Sequence, residues 1–300
     1  MKSLQPERRV ASPAGEVVYH AFGSGPPLLF VNGLGASWHA FRNQIEHFSS
    51  RYRCLVWDYR GVYRDCGAEL GPRSIADHAR DARAILDAEG ASRAAILGWS
   101  LGVQVALQLF SDAPARVAML LLVGGGARAP WGARPEAGPI RRLYPFVLEL
   151  LARAPERLIA SLVGASGKSP ETFTWARRMG LVGSEIDPEL FAEVARNFAR
   201  LDVDNVIHTL RAMSHEDLSS VLAGLDVPTL VIGGDRDPFT PRAALERLVH
   251  LATGAEYLLL AGASHYVLLD HAEHVNLRID KFFAERGFNP EPKPISVHPR

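Results

Sequence analysis

Ser100 stands in Gly98-Trp99-Ser100-Leu101-Gly102, between the apolar run Ala94-Ala95-Ile96-Leu97 and a stretch of small and apolar residues through Ala106. This is the G-x-S-x-G spacing in a strand–turn–helix context. A chain that turns from strand to helix around one serine holds it at strained backbone angles, and side chains in place of the flanking glycines would collide with their neighbours. The turn lifts the hydroxyl clear of a sheet edge. The helix that follows offers free backbone N–H groups to developing negative charge. Nucleophilic attack on a carbonyl carbon is the chemistry that suits such a serine.

A serine hydroxyl is a poor nucleophile near neutral pH and needs a base within hydrogen-bond reach. The base needs a carboxylate to fix its tautomer and to stabilise the imidazolium that forms. Two further stretches supply these types, each just after an apolar run. Leu230-Val231-Ile232 leads into Gly233-Gly234-Asp235-Arg236-Asp237-Pro238, and Leu258-Leu259-Leu260 leads into Ala261-Gly262-Ala263-Ser264-His265. A serine, an acid and a histidine therefore appear in that chain order, each at a strand end, where open parallel sheets collect their chemistry. Asp235 and Asp237 both qualify as the acid. Asp237 is also placed to cap the helix after Pro241, and His265 to be a surface histidine. His271 and His274 fall in or near a helix and read as solvated.

The elements that must position these groups follow a β/α rhythm. Strands are expected between residues 8 and 31 and at Cys54–Trp57, 94–99, 117–123, 228–232 and 256–260, with Leu28–Val31 and Cys54–Trp57 apolar enough to be covered on both faces. Helices are expected at 37–50, 74–89, after Ser100, at 241–251 and at 272–285, and Ser74 is the expected N-cap of the second, which turns Ile75, His78, Ala79, Ala82 and Ile85 to one side. Strands alternating with helices imply a mostly parallel twisted sheet with helices on both faces. From 127 to 222 no β-like run occurs, only amphipathic stretches separated by Pro and Gly, too long for a loop. The expected organisation is an α/β core of 1–126 and 223–286, an inserted all-helical cap at 127–222, and a flexible Pro-rich tail at 287–300.

Composition excludes several classes. The formal net charge is zero, with 33 basic and 33 acidic residues, which speaks against nucleic acid or an anionic membrane as the main partner. Two cysteines, Cys54 and Cys66, make neither a disulfide framework nor a metal cluster. Residues 1–9 lack a signal-peptide core and no stretch approaches a membrane span, so a cytoplasmic protein is expected. Composition carries no reading of oligomeric state.

The three motifs together resemble those of the α/β-hydrolase fold superfamily with a helical cap, and the resemblance covers about residues 9–286. Gly98-Trp99-Ser100-Leu101-Gly102 matches its nucleophile elbow, Gly234-Asp235-Arg236-Asp237-Pro238 its Gly-x-x-Asp followed by Pro, and Gly262-Ala263-Ser264-His265 its Gly-x-x-His. The resemblance implies Ser100 as nucleophile, His265 as general base and acid, and Asp237 as the orienting carboxylate, with Asp235 the rival. It implies an oxyanion hole from the backbone N–H groups of Leu34 and Leu101.

Departures from the family pattern are local. Asn32-Gly33 stands where most relatives have His-Gly, and Asn32 is expected to brace its loop. Tyr63 and Asp65 replace small residues of an Asp-x-Arg-Gly-x-Gly-x-Ser pattern, so this loop is expected to be bulkier and to narrow one side of the pocket. Asp58 and Arg60 read as a structural brace. Trp99, Trp38 and Asn32 are candidates for the substrate pocket or its support.

The resemblance implies hydrolysis of a small-molecule carboxylic ester, or a lactone or thioester, with a hydrophobic acyl or aromatic part, and needs no cofactor and no metal. C–C bond hydrolases, perhydrolases and acyltransferases share the triad, and a non-catalytic ligand receptor shares the fold. Ser100 speaks against dehalogenases and epoxide hydrolases, which need a carboxylate nucleophile. No first-strand G-x-G-x-x-G supports a dinucleotide-dependent oxidoreductase.

Overall fold

A computed structural model describes residues 7–13, 15–63, 74–128, 183, 197 and 200–289. Its centre is an eight-stranded sheet: β1 (Arg8–Ser12), β2 (Gly15–Phe22), β3 (Pro27–Val31), β4 (Arg53–Trp57), β5 (Ala94–Trp99), β6 (Val117–Val123), β7 (Thr229–Gly234) and β8 (Glu256–Leu260). The spatial order is β1-β2-β4-β3-β5-β6-β7-β8. β1 and β2 pair antiparallel, as do β2 and β4, and every pair from β4 to β8 is parallel. The chain runs from β3 outward to β4, then returns past β3 to β5. That reversal is a topological switch point, and it opens a crevice between the carboxyl ends of β3 and β5.

The central strands are apolar at nearly every position because both of their faces are covered. Leu29, Val31, Ile96, Leu120, Leu122 and Val231 point into one core with helices α2 (Ile75–Ala88) and α3 (Leu101–Asp112). Phe30, Leu97, Leu121, Val123 and Ile232 point into the other with α1 (Arg42–Phe48), which continues a 3-10 turn at Trp38–Phe41. Ser74 caps α2 in a capping box with Asp77, and Ile75, His78, Ala79, Ala82 and Ile85 are all buried.

Between β6 and β7 the described residues include α4 (Val203–His215) and α5 (Ser219–Ala223). The other amphipathic stretches expected at 140–200 lie almost wholly outside the described residues, as do Asp65, Cys66 and 290–300. After β7 come α6 (Arg242–Leu251), β8, a short α7 (Val267–Asp270) and α8 (Ala272–Glu285). The expected start of the tail at 287 needs correction at its first residues. Phe288 stacks on Tyr52 at 5.8 Å and packs on Phe283 at 5.1 Å, and the Tyr52 hydroxyl donates to its carbonyl. An aromatic ring with an open aromatic neighbour gains more by docking than by staying in water.

Candidate active site

The turn at Ser100 is made by close backbone crossings. A Cβ on Gly98 would lie 2.3 Å from the Gly102 carbonyl oxygen, and one on Gly102 would lie 2.1 Å from that of Val31. Both glycines are thus required by main chain, which cannot move aside as a side chain tip can. Between them Ser100 takes φ 56° and ψ −114°, the only non-glycine residue with positive φ among those described. Strain of that kind costs about 1–3 kcal/mol and persists only where the surroundings enforce it. Gly125 closes in from β6, where a Cβ would meet the Ser100 carbonyl oxygen at 2.3 Å.

Three side chains meet above this turn. Ser100 Oγ lies 3.0 Å from His265 Nε2, and His265 Nδ1 lies 2.9 Å from Asp237 Oδ2. The Asp237 side chain is fully buried. Its other oxygen, Oδ1, accepts the backbone N–H groups of Phe239 at 2.8 Å and Thr240 at 2.9 Å. A carboxylate oxygen facing Nδ1 suits the tautomer with its proton on Nδ1, in which the Nε2 lone pair would face Ser100. Asp235 lies outside this chain, exposed and bonded to the Gly262 N–H at 2.7 Å. The histidine is held by its surroundings too: Trp99 Nε1 donates to its carbonyl at 3.0 Å, and the Phe239 ring meets its imidazole edge-on at 4.9 Å.

The loop after β3 forms the facing wall. Gly33 fits against the serine turn, since a Cβ there would lie 3.3 Å from Ser100 Cβ and 3.2 Å from the Trp99 ring. Residues 33–36 form a tight turn closed by Ala36 N–H donating to the Gly33 carbonyl at 3.2 Å, with Gly35 at φ 75°. A positive φ at the third position is the type II pattern that favours glycine. Leu34 is half-buried in this turn. Leu101 is the first residue of α3, where a backbone N–H has no intrahelical acceptor.

Asn32, Trp38 and Trp99 take supporting places. Asn32 is buried and donates to the Trp57 carbonyl at 2.8 Å and to Asp58 Oδ1 at 3.3 Å. Asp58 Oδ1 also accepts the Trp38 N–H at 2.6 Å, while the Trp38 ring lies among His20, Phe22 and His39. Arg60 is bound to buried Asp81 through Nε at 2.7 Å and Nη2 at 2.6 Å, and Ser12 adds a bond to the same carboxylate.

Several participants were not expected from the sequence. Thr240 Oγ1 donates to the Gly124 carbonyl at 2.9 Å, tying the Asp237 turn to the end of β6. Asp270 accepts the Ser264 N–H at 2.9 Å and its hydroxyl, which braces the residue before His265, and also the Gly183 N–H at 3.1 Å. Burial, with the Asp270 carboxylate beside it, pushes the neighbouring Tyr266 phenol up to about 12. Tyr63, expected to narrow the pocket, is 2% exposed and turns its hydroxyl to the Gly35 carbonyl. A polar residue five positions past the histidine and a second tyrosine after Tyr59 were the only signals available.

Comparison with known proteins identifies the fold family. A profile described as alpha/beta hydrolase fold matches residues 26–272. The chain belongs to that family. A putative carbamate hydrolase RutD from Azorhizobium caulinodans is 28% identical over 227 residues, 75% of this chain and 79% of the relative. A pimeloyl-[acyl-carrier protein] methyl ester esterase from Vibrio campbellii is 23% identical over 273 residues, 89% and 98% of the two chains. The solved enol-lactonase from Burkholderia xenovorans shares the fold with a TM-score of 0.74 at 23% identity, covering 92% of this chain and 100% of that one. The chain is thus a member of a hydrolase family. Among the described residues no helix is long and apolar enough to cross a membrane.

Proposed function

We propose that the protein is a serine hydrolase that cleaves a carboxylic ester through an acyl-enzyme on Ser100. The observation that carries this reading is the unbroken hydrogen-bonded chain Ser100–His265–Asp237 at a serine held in a strained backbone conformation. In the first step Ser100 Oγ bonds to the acyl carbon while its proton passes to His265 Nε2. The carbonyl oxygen becomes an oxyanion, bound by the N–H groups of Leu34 and Leu101. Collapse breaks the bond to the leaving alkoxide, which takes the proton from His265. Water then attacks the acyl carbon, giving a proton to His265. Collapse of the second tetrahedral intermediate breaks the acyl–Oγ bond, Ser100 Oγ takes that proton from His265, and the acid leaves. Asp237 keeps its contact with Nδ1 throughout and stabilises the imidazolium.

Carbamate, methyl ester and enol-lactone, the groups in the relatives' names, all present an acyl carbon bonded to a heteroatom, which supports acyl transfer to water. Leu34 and Phe239, both partly exposed beside the site, favour an apolar acyl or aryl group, and the segment 127–222 is proposed as the cap. Hydrolysis of p-nitrophenyl esters from acetyl to dodecanoyl, wild type against Ser100→Ala, tests the reading. The wild type should turn over and the variant should lose several orders of magnitude in kcat. Equal activity of the two proteins would remove Ser100 from the mechanism, and a wild type inert toward the whole panel would favour a ligand-binding role for the fold.

A further inference from the structure

Two tyrosine hydroxyls grip the turn that carries Leu34. Tyr59 donates to the Asn32 carbonyl at 2.6 Å, just before the turn, and Tyr63 donates to the Gly35 carbonyl at 3.2 Å, inside it. The second contact has a longer reach than its distance suggests. The Gly35 carbonyl and the Ala36 N–H belong to one peptide plane, and that N–H donates to the Gly33 carbonyl at 3.2 Å. The Gly33 carbonyl in turn shares a plane with the Leu34 N–H. The structure contains no cis peptide among the described residues. In a trans peptide C=O and N–H point in opposite directions, so fixing one aims the other. The Tyr63 hydroxyl therefore heads a chain of two rigid peptide groups that ends at the Leu34 N–H. Each bond in such a chain polarises the next.

Tyr63 is itself held from the segment between β6 and β7. Its backbone bridges Leu201, and the neighbouring Val62 carbonyl accepts the Asp202 N–H at 2.9 Å. The Arg200 guanidinium lies over its ring, 5.7 Å from the centroid. Asn197 adds a parallel tie, donating to Ser37 Oγ at 2.8 Å just past the turn. Gly35 has a reason to need this support. At φ 75° it occupies a region from which glycine departs with little steric resistance.

We infer that Tyr63 is a positioning residue for the oxyanion-binding amide, aiming and polarising the Leu34 N–H through the Gly35 and Gly33 peptide groups while anchored on residues 200–202. The inference rests on the proposed serine-hydrolase function, because it needs an oxyanion for Leu34 to bind. Phenylalanine at 63 keeps the buried ring and removes the head of the chain.

The test compares wild type, Tyr63→Phe and Ser100→Ala on the best p-nitrophenyl ester, with active sites titrated by a fluorophosphonate. Tyr63→Phe should lower kcat per titrated site by about tenfold, less than the ~10²–10³ for deleting an oxyanion donor outright, with KM changed under about twofold. Its affinity for a trifluoromethyl ketone, which forms a tetrahedral oxyanion adduct, should fall by the same factor as kcat/KM. A purely structural role would instead lower the melting temperature and leave kcat per site and inhibitor affinity unchanged. That outcome, with Ser100→Ala inactive, overturns the inference and leaves the hydrolase reading standing. A wild type that neither turns over esters nor reacts with the fluorophosphonate overturns both.

Discussion

The indole N–H of Trp99 donates to the backbone carbonyl of His265 at 3.0 Å, so the residue before the serine holds the main chain of the residue that faces it. Trp99 is 3% exposed, and its ring also lies 5.4 Å from that of Tyr266. Strand β5 thus fixes the histidine loop as well as the serine. Trp99→Phe keeps an apolar ring but leaves a buried carbonyl without its donor, at a cost of about 1–3 kcal/mol. Urea unfolding should show that loss, and kcat should fall severalfold because the imidazole is no longer held in register with Ser100.

Asp237→Asn should be far more damaging to rate than to stability. The Asn carbonyl can keep the bonds from Phe239 and Thr240, leaving its NH₂ against His265 Nδ1. Nδ1 must then accept, the ring proton moves to Nε2, and the base facing Ser100 is lost. A fall in kcat of roughly 10⁴ is expected, with a melting temperature near that of the wild type. Asp235→Asn, which alters only the contact to Gly262, should change kcat by less than about twofold. A larger loss in Asp235→Asn than in Asp237→Asn would transfer the acid's role to Asp235.

Gly102→Ala and Gly254→Ala separate crowding from backbone strain. At Gly102 the added methyl would sit 2.1 Å from the Val31 carbonyl oxygen and 2.9 Å from that of Asn32, both main chain. At Gly254, φ is +81° and nothing lies within 4 Å. The first variant should be unable to fold to the native state. The second should remain folded and lose about 1 kcal/mol, measurable by denaturant titration.

Arg60 and Asp81 form an ion pair with both side chains almost entirely shielded from water. Removing one partner strands a buried charge. Arg60→Met should therefore cost about 3–5 kcal/mol in equilibrium unfolding, and adding Asp81→Leu should restore part of the loss.

High pH should unfold the protein through its buried phenols. Burial holds the Tyr59 phenol well above its ordinary value, and Tyr266 is pushed up to about 12. Above about pH 10 the unfolded chain releases these protons while the folded chain retains them, so unfolding stability falls as pH rises. The contribution is complete below pH 10 and is lost as pH climbs toward the folded-state values. Urea unfolding between pH 8 and 11 should show the decline, and Tyr59→Phe should flatten it.

Much of this arrangement was legible in the sequence because it depends on backbone requirements and apolar runs. Gly98 and Gly102 announce the turn at Ser100, and unbroken runs such as Leu28–Val31 announce strands covered on two faces. The alternation of strands and helices then brings three strand ends to one edge. Contacts that cross between distant segments were not legible. Nothing in the local sequence at Tyr63 tells that its hydroxyl reaches Gly35, or at Asp270 that it braces Ser264, because each depends on how two loops lie in space. Phe288 shows the same limit: its Pro-rich neighbourhood reads as a tail, while Tyr52 and Phe283, distant in sequence, supply its packing.

The order of strands also has a consequence for the chain as it is being made. β6 is the apolar run Val117–Val123, and its outer edge pairs only with β7, which begins at Thr229. Synthesis of the roughly one hundred residues between them takes about 5–20 s at typical rates of ~5–20 residues per second. Throughout that interval the nascent polypeptide holds an unpartnered, strongly apolar edge, a template for association with other chains. The elongating protein is therefore most in need of a chaperone after β6 has left the ribosome and before β7 arrives.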